Sequence, residues 1–480
     1  MMRRKILIYL SIFLAFLILT IYLFFSRKIS QPNRTTEEAN PNIVFMLVDA
    51  LRKDHLSCYG YARNTSQFID ELAKNGLMFE NAISQASWTS PSVASIFTSK
   101  YPSQIGVGAI EESNGLKNLD RLLPSALNRK AKTLAEILKN GGYKTHNIGT
   151  NPYVVDKFRM LQGFKTKTYQ HVAQASEVID IAIDYIVKNM EKTESPFFVY
   201  LHFMDLHCPT DPPSPYDTLF PTLDSAPHKG EHKEWKIFEP KELDTEDFKI
   251  YKSHKLALYD GSLKYLDFQI GRFIAYLKKA RLIDNTIIVI ASDHGEEFWD
   301  HALFELNNFY DPRNIYGIGH GHSMFRELLD VPLILFGADV PRRKVKQQVR
   351  NIDITPTLLS LAGLSKTIDD MEGINLIEKI EHNELRDLIA FSEDIAYGYE
   401  QKSLQNREYK YIRYQNREFL FDKTDDPIEM SDISEEQPHI LKQFRDLLDN
   451  ILKQFEYKER QTVKLDEETK KRLRSLGYMK

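Results

Sequence analysis

The sequence predicts an α/β fold carrying a small α+β part at its C-terminal end, preceded by one membrane-spanning segment. Three observations predict it. Apolar runs rich in branched or aromatic residues at Asn42–Val48, Phe197–Phe203 and Thr286–Ala291 read as buried parallel strands. Stretches with helical apolar spacing alternate with such strands, the signature of an α/β layer fold. Ahead of them, Met1-Met2-Arg3-Arg4-Lys5 precedes an uncharged apolar run from Ile6 to Phe25, long enough to span a bilayer.

The apolar run ends at Ser26-Arg27-Lys28 without a small-x-small cleavage site, so it reads as an uncleaved signal anchor. Residues 1–28 form that anchor, 29–40 a polar linker, 41–386 a catalytic α/β domain and 387–480 a C-terminal sheet-plus-helix subdomain. A short basic N-terminus held in the cytoplasm places the body of the chain outside it. Thr65–Asn75 is expected as a helix with Phe68 and Leu72 inward and Gly76 as its C-cap. Met78–Ala82 follows as a short strand. Ser90 falls at an N-cap with Pro91 opening the helix behind it, and Val93, Ile96 and Phe97 form its apolar face. Ala131–Asn140 and Ala173–Met190 read as helices flanking the strand Tyr143–Gly149. Residues 209–245, rich in Pro and charge, read as a long loop bordering the site. Tyr251–Leu277 is a helix, Val331–Phe336 a strand and Thr355–Ala362 a helix. Tyr409–Tyr414 and Arg417–Asp422 read as a hairpin around Gln415-Asn416, and His439–Phe455 as an amphipathic helix.

With 480 residues, 42% hydrophobic and 27% charged, the chain is globular; its net charge of −4 offers no basic field, so nucleic acid is not an expected partner. Two cysteines, Cys58 and Cys208, are too few for a disulfide framework or a cysteine zinc site, and leave one bridge or two thiols as alternatives.

Two of the buried strands end in acids: Asp49 after the first, and Ser292-Asp293-His294-Gly295-Glu296 after Thr286–Ala291. Carboxyl ends of strands are where open α/β sheets place their chemistry. Asp49, Asp293 and His294 make an O, O, N set suited to a divalent metal (Mn, Zn or Ca), one ion or two. Thr89, at a helix N-terminus that attracts anions, completes the set as a fourth metal ligand and as the nucleophile. An ordinary capped helix would carry the same local residues; the acids at distant strand ends are what favour chemistry. His207, in the loop after Phe197–Phe203, and His320 and His322, bracketed by glycines, are catalytic candidates to hold an oxyanion or protonate a leaving group. His301 and Asp54 are candidates for a second metal.

These residues resemble the sulfatase family, within the alkaline phosphatase superfamily. The match runs through N-I-V-F-M-L-V-D-A-L-R-K-D-H-L-S-C-Y-G, T-S-P-S-V-A-S-I-F-T-S-K-Y-P, S-D-H-G-E-E-F, G-H-G-H-S-M-F-R-E-L-L-D-V-P-L-I-L and D-I-T-P-T-L-L-S-L-A-G. It extends to Y-K-Y-I-R, L-F-D-K-T-D-D-P-I-E and R-L-R-S-L-G-Y near the end. The resemblance implies a mixed sheet between helix layers with a C-terminal four-stranded sheet. It carries the family's first metal aspartate onto Asp49, with Ala50 where a second acid usually follows, and the downstream pair onto Asp293 and His294. It makes His207 a substrate-binding residue and sets His322, with His320 beside it, near the ester oxygens.

The departure lies at the nucleophile. The family motif C-x-P-x-R or S-x-P-x-R becomes Thr89 and Val93 at its first and last positions, and threonine cannot yield the formylglycine aldehyde. Relatives with threonine there use it directly on phosphorus. The expected function is therefore a metal-dependent hydrolase or transferase of phosphate or sulfate esters, phosphoesters and phosphonate esters preferred. A true sulfatase without formylglycine, or a non-catalytic binding protein of the same fold, are the alternatives. Glycan, lipid-headgroup, nucleotide and small aryl esters are all compatible substrates, and the membrane is a partner through the N-terminal helix.

Overall fold

The first buried strand, β1 (Asn42–Val48), runs through the interior of an eight-stranded sheet. The others are β2 (Leu77–Ile83), β3 (Lys144–Gly149), β4 (Thr166–Tyr169), β5 (Phe197–Phe203), β6 (Thr286–Ala291), β7 (Asp330–Gly337) and β8 (Arg343–Arg350), in the spatial order β8-β2-β7-β6-β1-β5-β3-β4. Only β7 runs antiparallel to its neighbours β2 and β6; the remaining pairs are parallel, so the sheet is mixed as expected. The computed structural model describes residues 40–476 apart from 113, 119–123, 191–194 and 368–369. The apolar run Ile6–Phe25 and the anchor read from it lie outside the described residues, and no described helix is long and apolar enough to cross a membrane.

β1 is buried on both faces, which is why its sequence is uniformly apolar rather than alternating. Ile43, Phe45 and Leu47 face one helical layer, built from α2 (Thr89–Thr98), α3 (Leu134–Asn140) and α6 (Ile354–Leu361), through Val93, Ile96, Leu138 and Leu358. Val44, Met46 and Val48 face the other, built from α1 (Gln67–Asn75), α4 (Ala175–Met190) and α5 (Glu246–Lys279), through Ile69, Val178 and Leu266. A period of two on a strand sends alternate side chains to opposite layers, and each layer meets its own helices.

Several local expectations change. The helix begins at Thr89, not after Ser90: Trp88 is the N-cap, with no side-chain cap, and the Ser90 hydroxyl is buried without a partner. Pro91 is then the third helical residue, still in the first turn where no N–H is required; the first amide to bond is that of Ser92, to the Trp88 carbonyl. Gly76 does end α1, yet in an extended conformation; a Cβ there would lie 2.2 Å from the Leu335 carbonyl oxygen, so close approach of backbone selects glycine. Phe68 is 38% exposed rather than inward, lying over Gly271 of α5. β8 escapes the apolar-run criterion because it is an edge strand, in which Val345, Gln348 and Val349 are the buried residues. Cys58 and Cys208 are free thiols.

Residues 209–245 contain short 3-10 turns and no α-helix or strand, as expected of a long loop. The loop is fastened to α5 where Tyr251 donates to the Glu234 carbonyl (2.6 Å) and Lys255 Nζ to the Lys233 carbonyl (3.0 Å). Downstream, β9 (Ala390–Glu393), β10 (Gln401–Gln405), β11 (Tyr409–Tyr414) and β12 (Arg417–Asp422) form an antiparallel four-stranded sheet. The β11–β12 hairpin turns at Gln415-Asn416, with Gln415 in the left-handed region (φ 52°). α7 (Pro438–Gln454) covers this sheet through Phe444 and Leu448, in a core that also takes Tyr101 and Ile352 from the larger sheet's surroundings.

Phe45 is fully buried and meets Tyr200 edge-on at 5.6 Å, so Phe45→Ala should lower the unfolding free energy by about 3–5 kcal/mol. Guanidinium denaturation would show it as a lower midpoint with an unchanged slope.

Candidate active site

The topology brings four strand ends to one edge. β6, β1, β5 and β3 are adjacent and parallel, so the residues just past their carboxyl ends converge: Asp293 and His294, Asp49, His207, and Asn151. Asp49 Oδ2 accepts from Asn151 Nδ2 (2.7 Å) and from His202 Nε2 (3.0 Å). Tyr200 O–H donates to His202 Nδ1 (2.8 Å), which leaves the proton of His202 on Nε2, facing Asp49. The His294 Nδ1–H donates to the Gly295 carbonyl (2.8 Å), so its Nε2 lone pair is free; it stands 3.5 Å from Asp49 Oδ1 and 3.5 Å from Asp293 Oδ2.

Those two carboxylate oxygens are buried and have no hydrogen-bond partner. Burial works to raise the Asp49 carboxyl, but the His202 hydrogen bond and the nearby His294 and His207 hold it below the ordinary range. Asp293 is pushed well above that range, by burial first and by the charge of Asp49 second. His294 is lowered to about 3, mainly by burial. Two carboxylate oxygens without a hydrogen-bond partner among the described residues and an unprotonated nitrogen, all within 4.8 Å of one another, fit a divalent cation.

Thr89 opens α2 against this trio and is wholly buried. Its hydroxyl donates to Asp49 Oδ2 (3.3 Å) and lies 3.3 Å from His294 Nε2 and 3.4 Å from Asn151 Nδ2. The four residues expected as a metal set are thus brought together. His207 and His320 join them. The His207 Nδ1–H donates to the Cys208 carbonyl, its ring lies 5.0 Å from that of His320, and His320 lies 4.3 Å from His294. His320 Nδ1 pairs with Glu296 (3.1 Å), whose carboxyl burial pushes up to about 7. The long loop borders the same place: the Trp235 indole reaches Gly319, next to Glu296.

His322 is held differently. Its Nε2–H donates to Glu297 Oε2 (2.9 Å) with Glu305 Oε1 at 3.3 Å, while Nδ1 is buried without a partner. Burial alone would lower this imidazole; the two carboxylates raise it well above its ordinary value. The second-metal guesses separate from the site. Asp54 is spent on Arg52 (2.9 Å), and His301 donates from Nδ1 to Glu327 (2.7 Å) and from Nε2 to the Glu429 carbonyl (3.0 Å). With both nitrogens donating, His301 has no lone pair for a metal.

His202, Asn151, Glu297 and Glu305 escape the sequence reading, and Glu296 enters it only as the end of the acidic run after Thr286–Ala291. Asn151 follows β3 as Asp49 follows β1, so the strand-end rule could have found it; His202 hides inside the strand run F-F-V-Y-L-H-F.

Replacing His202 by Gln should weaken divalent-metal affinity about 10–100-fold without changing the saturating stoichiometry, read by calorimetric titration. The His301 pair predicts a pH effect. Its folded value, raised to about 10 from 6.5 by Glu327 against the opposing effect of burial, makes a stabilising contribution complete below pH 6.5 and lost as pH rises to about 10. Denaturation midpoints across that window should fall more steeply for the parent chain than for His301→Gln.

Comparison with known proteins identifies the family. The sulfatase family model matches residues 41–364, and that of the N-sulphoglucosamine sulphohydrolase C-terminal region matches residues 316–458. An arylsulfatase of Clostridium perfringens is 26% identical over 487 residues, covering 85% of this chain and 93% of the other. Among solved structures, an enzyme in complex with its substrate D-glucosamine-2-N,6-O-disulfate superposes with a TM-score of 0.66 at 20% identity, covering 87% of this chain and 98% of the other. The phosphonate monoester hydrolase of Agrobacterium radiobacter gives 0.64 at 18% identity, with 87% and 96% covered. Strand-end acids, helix-borne hydroxyl and a family match across most of the chain agree: the chain belongs to the sulfatase family of ester hydrolases.

Proposed function

We propose that the protein hydrolyses sulfuric esters of saccharides with Thr89 as the direct nucleophile. The observation that carries the reading is the Thr89 hydroxyl, 3.3 Å from both Asp49 Oδ2 and His294 Nε2, inside a sulfatase fold. The relatives named as sulfatases favour sulfate over the phosphoester preference drawn from threonine alone, and the disulfated glucosamine bound by a structural neighbour supports a saccharide.

A divalent cation on Asp49, Asp293, His294 and Thr89 would supply Lewis acidity that lowers the hydroxyl pKa. The chain does the rest. His202 and Asn151 fix Asp49 Oδ2, which accepts the Thr89 O–H and so orients the oxygen lone pairs toward the ester. Thr89 passes its proton to Asp49 Oδ2 as Oγ1 attacks sulfur, the S–O bond to the alcohol breaks, and His207 gives the departing oxygen its proton. Water then gives one proton back to His207 as it attacks the sulfur of the threonine sulfate; the S–O bond to Thr89 breaks, sulfate leaves, and Oγ1 recovers the proton held by Asp49, with no hemiacetal route for this ester. The apolar run Ile6–Phe25 supports placing the reaction on the outer side of a membrane.

A phosphoryl reading has its own support: threonine stands where the family carries an oxidisable cysteine or serine, and a phosphonate monoester hydrolase shares the fold. The full chain, loaded in turn with Ca, Mn or Zn, separates the two on p-nitrophenyl sulfate, glucosamine 6-sulfate, p-nitrophenyl phosphate and phenyl phosphonate ester. Sulfate release should dominate, and Thr89→Ala should lower it at least ~10³-fold. Phosphoester turnover without sulfate release would sink the main reading. Unchanged rates in Thr89→Ala would remove the nucleophile.

A further inference from the structure

At the C-terminal end of α2, the helix that starts with Thr89, a cavity of about 720 Å³ opens to the surface. Ten helical residues at 1.5 Å each put it about 15 Å from the nucleophile. Lys100, Arg129, Lys130, Lys132, Arg159 and Lys458 line it, against two acids, Asp370 and Glu456. The chain as a whole is acidic, so this concentration of positive charge is local.

Lys100 is paired with Asp370 (2.7 Å), and Lys458 with Glu456. The other four cations have no such compensation. Arg129, Lys130 and Lys132 form no ion pair among the described residues, and all three stand just before the N-terminus of α3, where the helix dipole disfavours positive charge. Fold stability therefore gives no reason for them. Arg159 sits in the left-handed region (φ 57°), bonds Gln461 through Nη2 (2.7 Å), and keeps a buried Nε with no partner. Its guanidinium is lowered by burial and by the like charge of Arg129, as expected where cations crowd without carboxylates.

We propose that this groove is a second binding site, for a sulfated polysaccharide chain, apart from the catalytic centre. The inference rests on the saccharide-sulfate reading above and names a surface that would hold the polymer while one of its esters is cleaved. Arginine and lysine match sulfate oxygens, and the amides of Gln104, Asn128 and Gln461 can meet sugar hydroxyls. Among the described residues no aromatic side chain lines the groove, so it lacks the platform on which single-stranded nucleic acid stacks.

Fluorescence anisotropy of the full chain with labelled dextran sulfate, unsulfated dextran and single-stranded DNA tests the proposal at two salt concentrations. Lys130 and Lys132 are exposed, so Lys130→Glu with Lys132→Glu should fold normally. The double variant should bind dextran sulfate about tenfold more weakly, with a salt dependence shallower by about two ions, and Arg129→Gln should weaken it in the same direction. Turnover of small esters should be unchanged in both variants. Parent-like affinity in both variants would overturn the proposal, as would DNA binding as tight as dextran sulfate binding. Thr89→Ala should bind the polymer like the parent chain. Because binding is read without turnover, a failed groove is distinguishable from a failed sulfatase assignment, which would show instead as absent sulfate release.

Discussion

Asp49 and Asp293 lie at the ends of adjacent parallel strands, both wholly buried, with one oxygen of each aimed at the same imidazole nitrogen and bonded to nothing. Like charges so placed repel, and burial removes the water that would screen them. The arrangement persists because the surrounding structure over-determines it. β1 and β6 are locked in register by their ladder, and the second oxygen of Asp49 is claimed by His202 of β5 and by Asn151 from the loop after β3. The Asp293 main chain is tied down as well, its carbonyl accepting from Ser84 Oγ and its Oδ1 from the His294 amide. A divalent cation held there would resolve the repulsion, and the sheet's parallel order is what brings Asp49, Asp293 and His294 together.

A second layer of buried charge lies behind the first and links it to the C-terminal sheet. Glu297, Glu305 and Glu327 are buried within reach of His301 and His322, and crowding with Glu305 and Glu327, added to burial, raises Glu297 to about 8. His301 reaches the Glu429 carbonyl, and the Glu429 carboxylate takes Lys410 of β11 (2.9 Å) and the Arg326 amide. Gln401 of β10 donates to the His322 carbonyl. The small sheet thus reaches the loop of His320 and His322 through hydrogen bonds.

What the sequence shows directly follows from how many neighbours each position has. β1, β5 and β6 are buried on both faces, so composition alone marks them, with the observed boundaries matching the apolar runs. Their terminal acids are legible for the same reason, since a carboxylate directly after such a run has few structural roles. β8, half-exposed at the sheet edge, carries no such mark. Polar residues inside apolar strands are harder still. His202 belongs to the site only because Leu47 of β1 pairs with it in register, placing it on the α2 face beside Thr89. Register is a tertiary fact. Glu297 lies in a two-residue strand and Glu305 in the short helix Ala302–Asn308 after it, and only the fold points both at His322.

The loss of the family arginine can be followed in the same terms. Its position is Val93, which is wholly buried in the core between α2 and the sheet, so no cationic side chain could extend from there to Thr89 without displacing that packing. The Thr89 hydroxyl, with no guanidinium beside it on its own helix, meets a donor from elsewhere. Asn151 meets the need from the opposite direction, its Nδ2 lying 2.7 Å from Asp49 Oδ2 and 3.4 Å from Thr89 Oγ1, and its Oδ1 anchored by the Tyr153 amide at 2.8 Å. An amide donor is neutral, so it orients without adding charge. Support of the Thr89 hydroxyl thus comes from the loop after β3 rather than from its own helix, and the N-terminus of α2 supplies positive potential beside that hydroxyl.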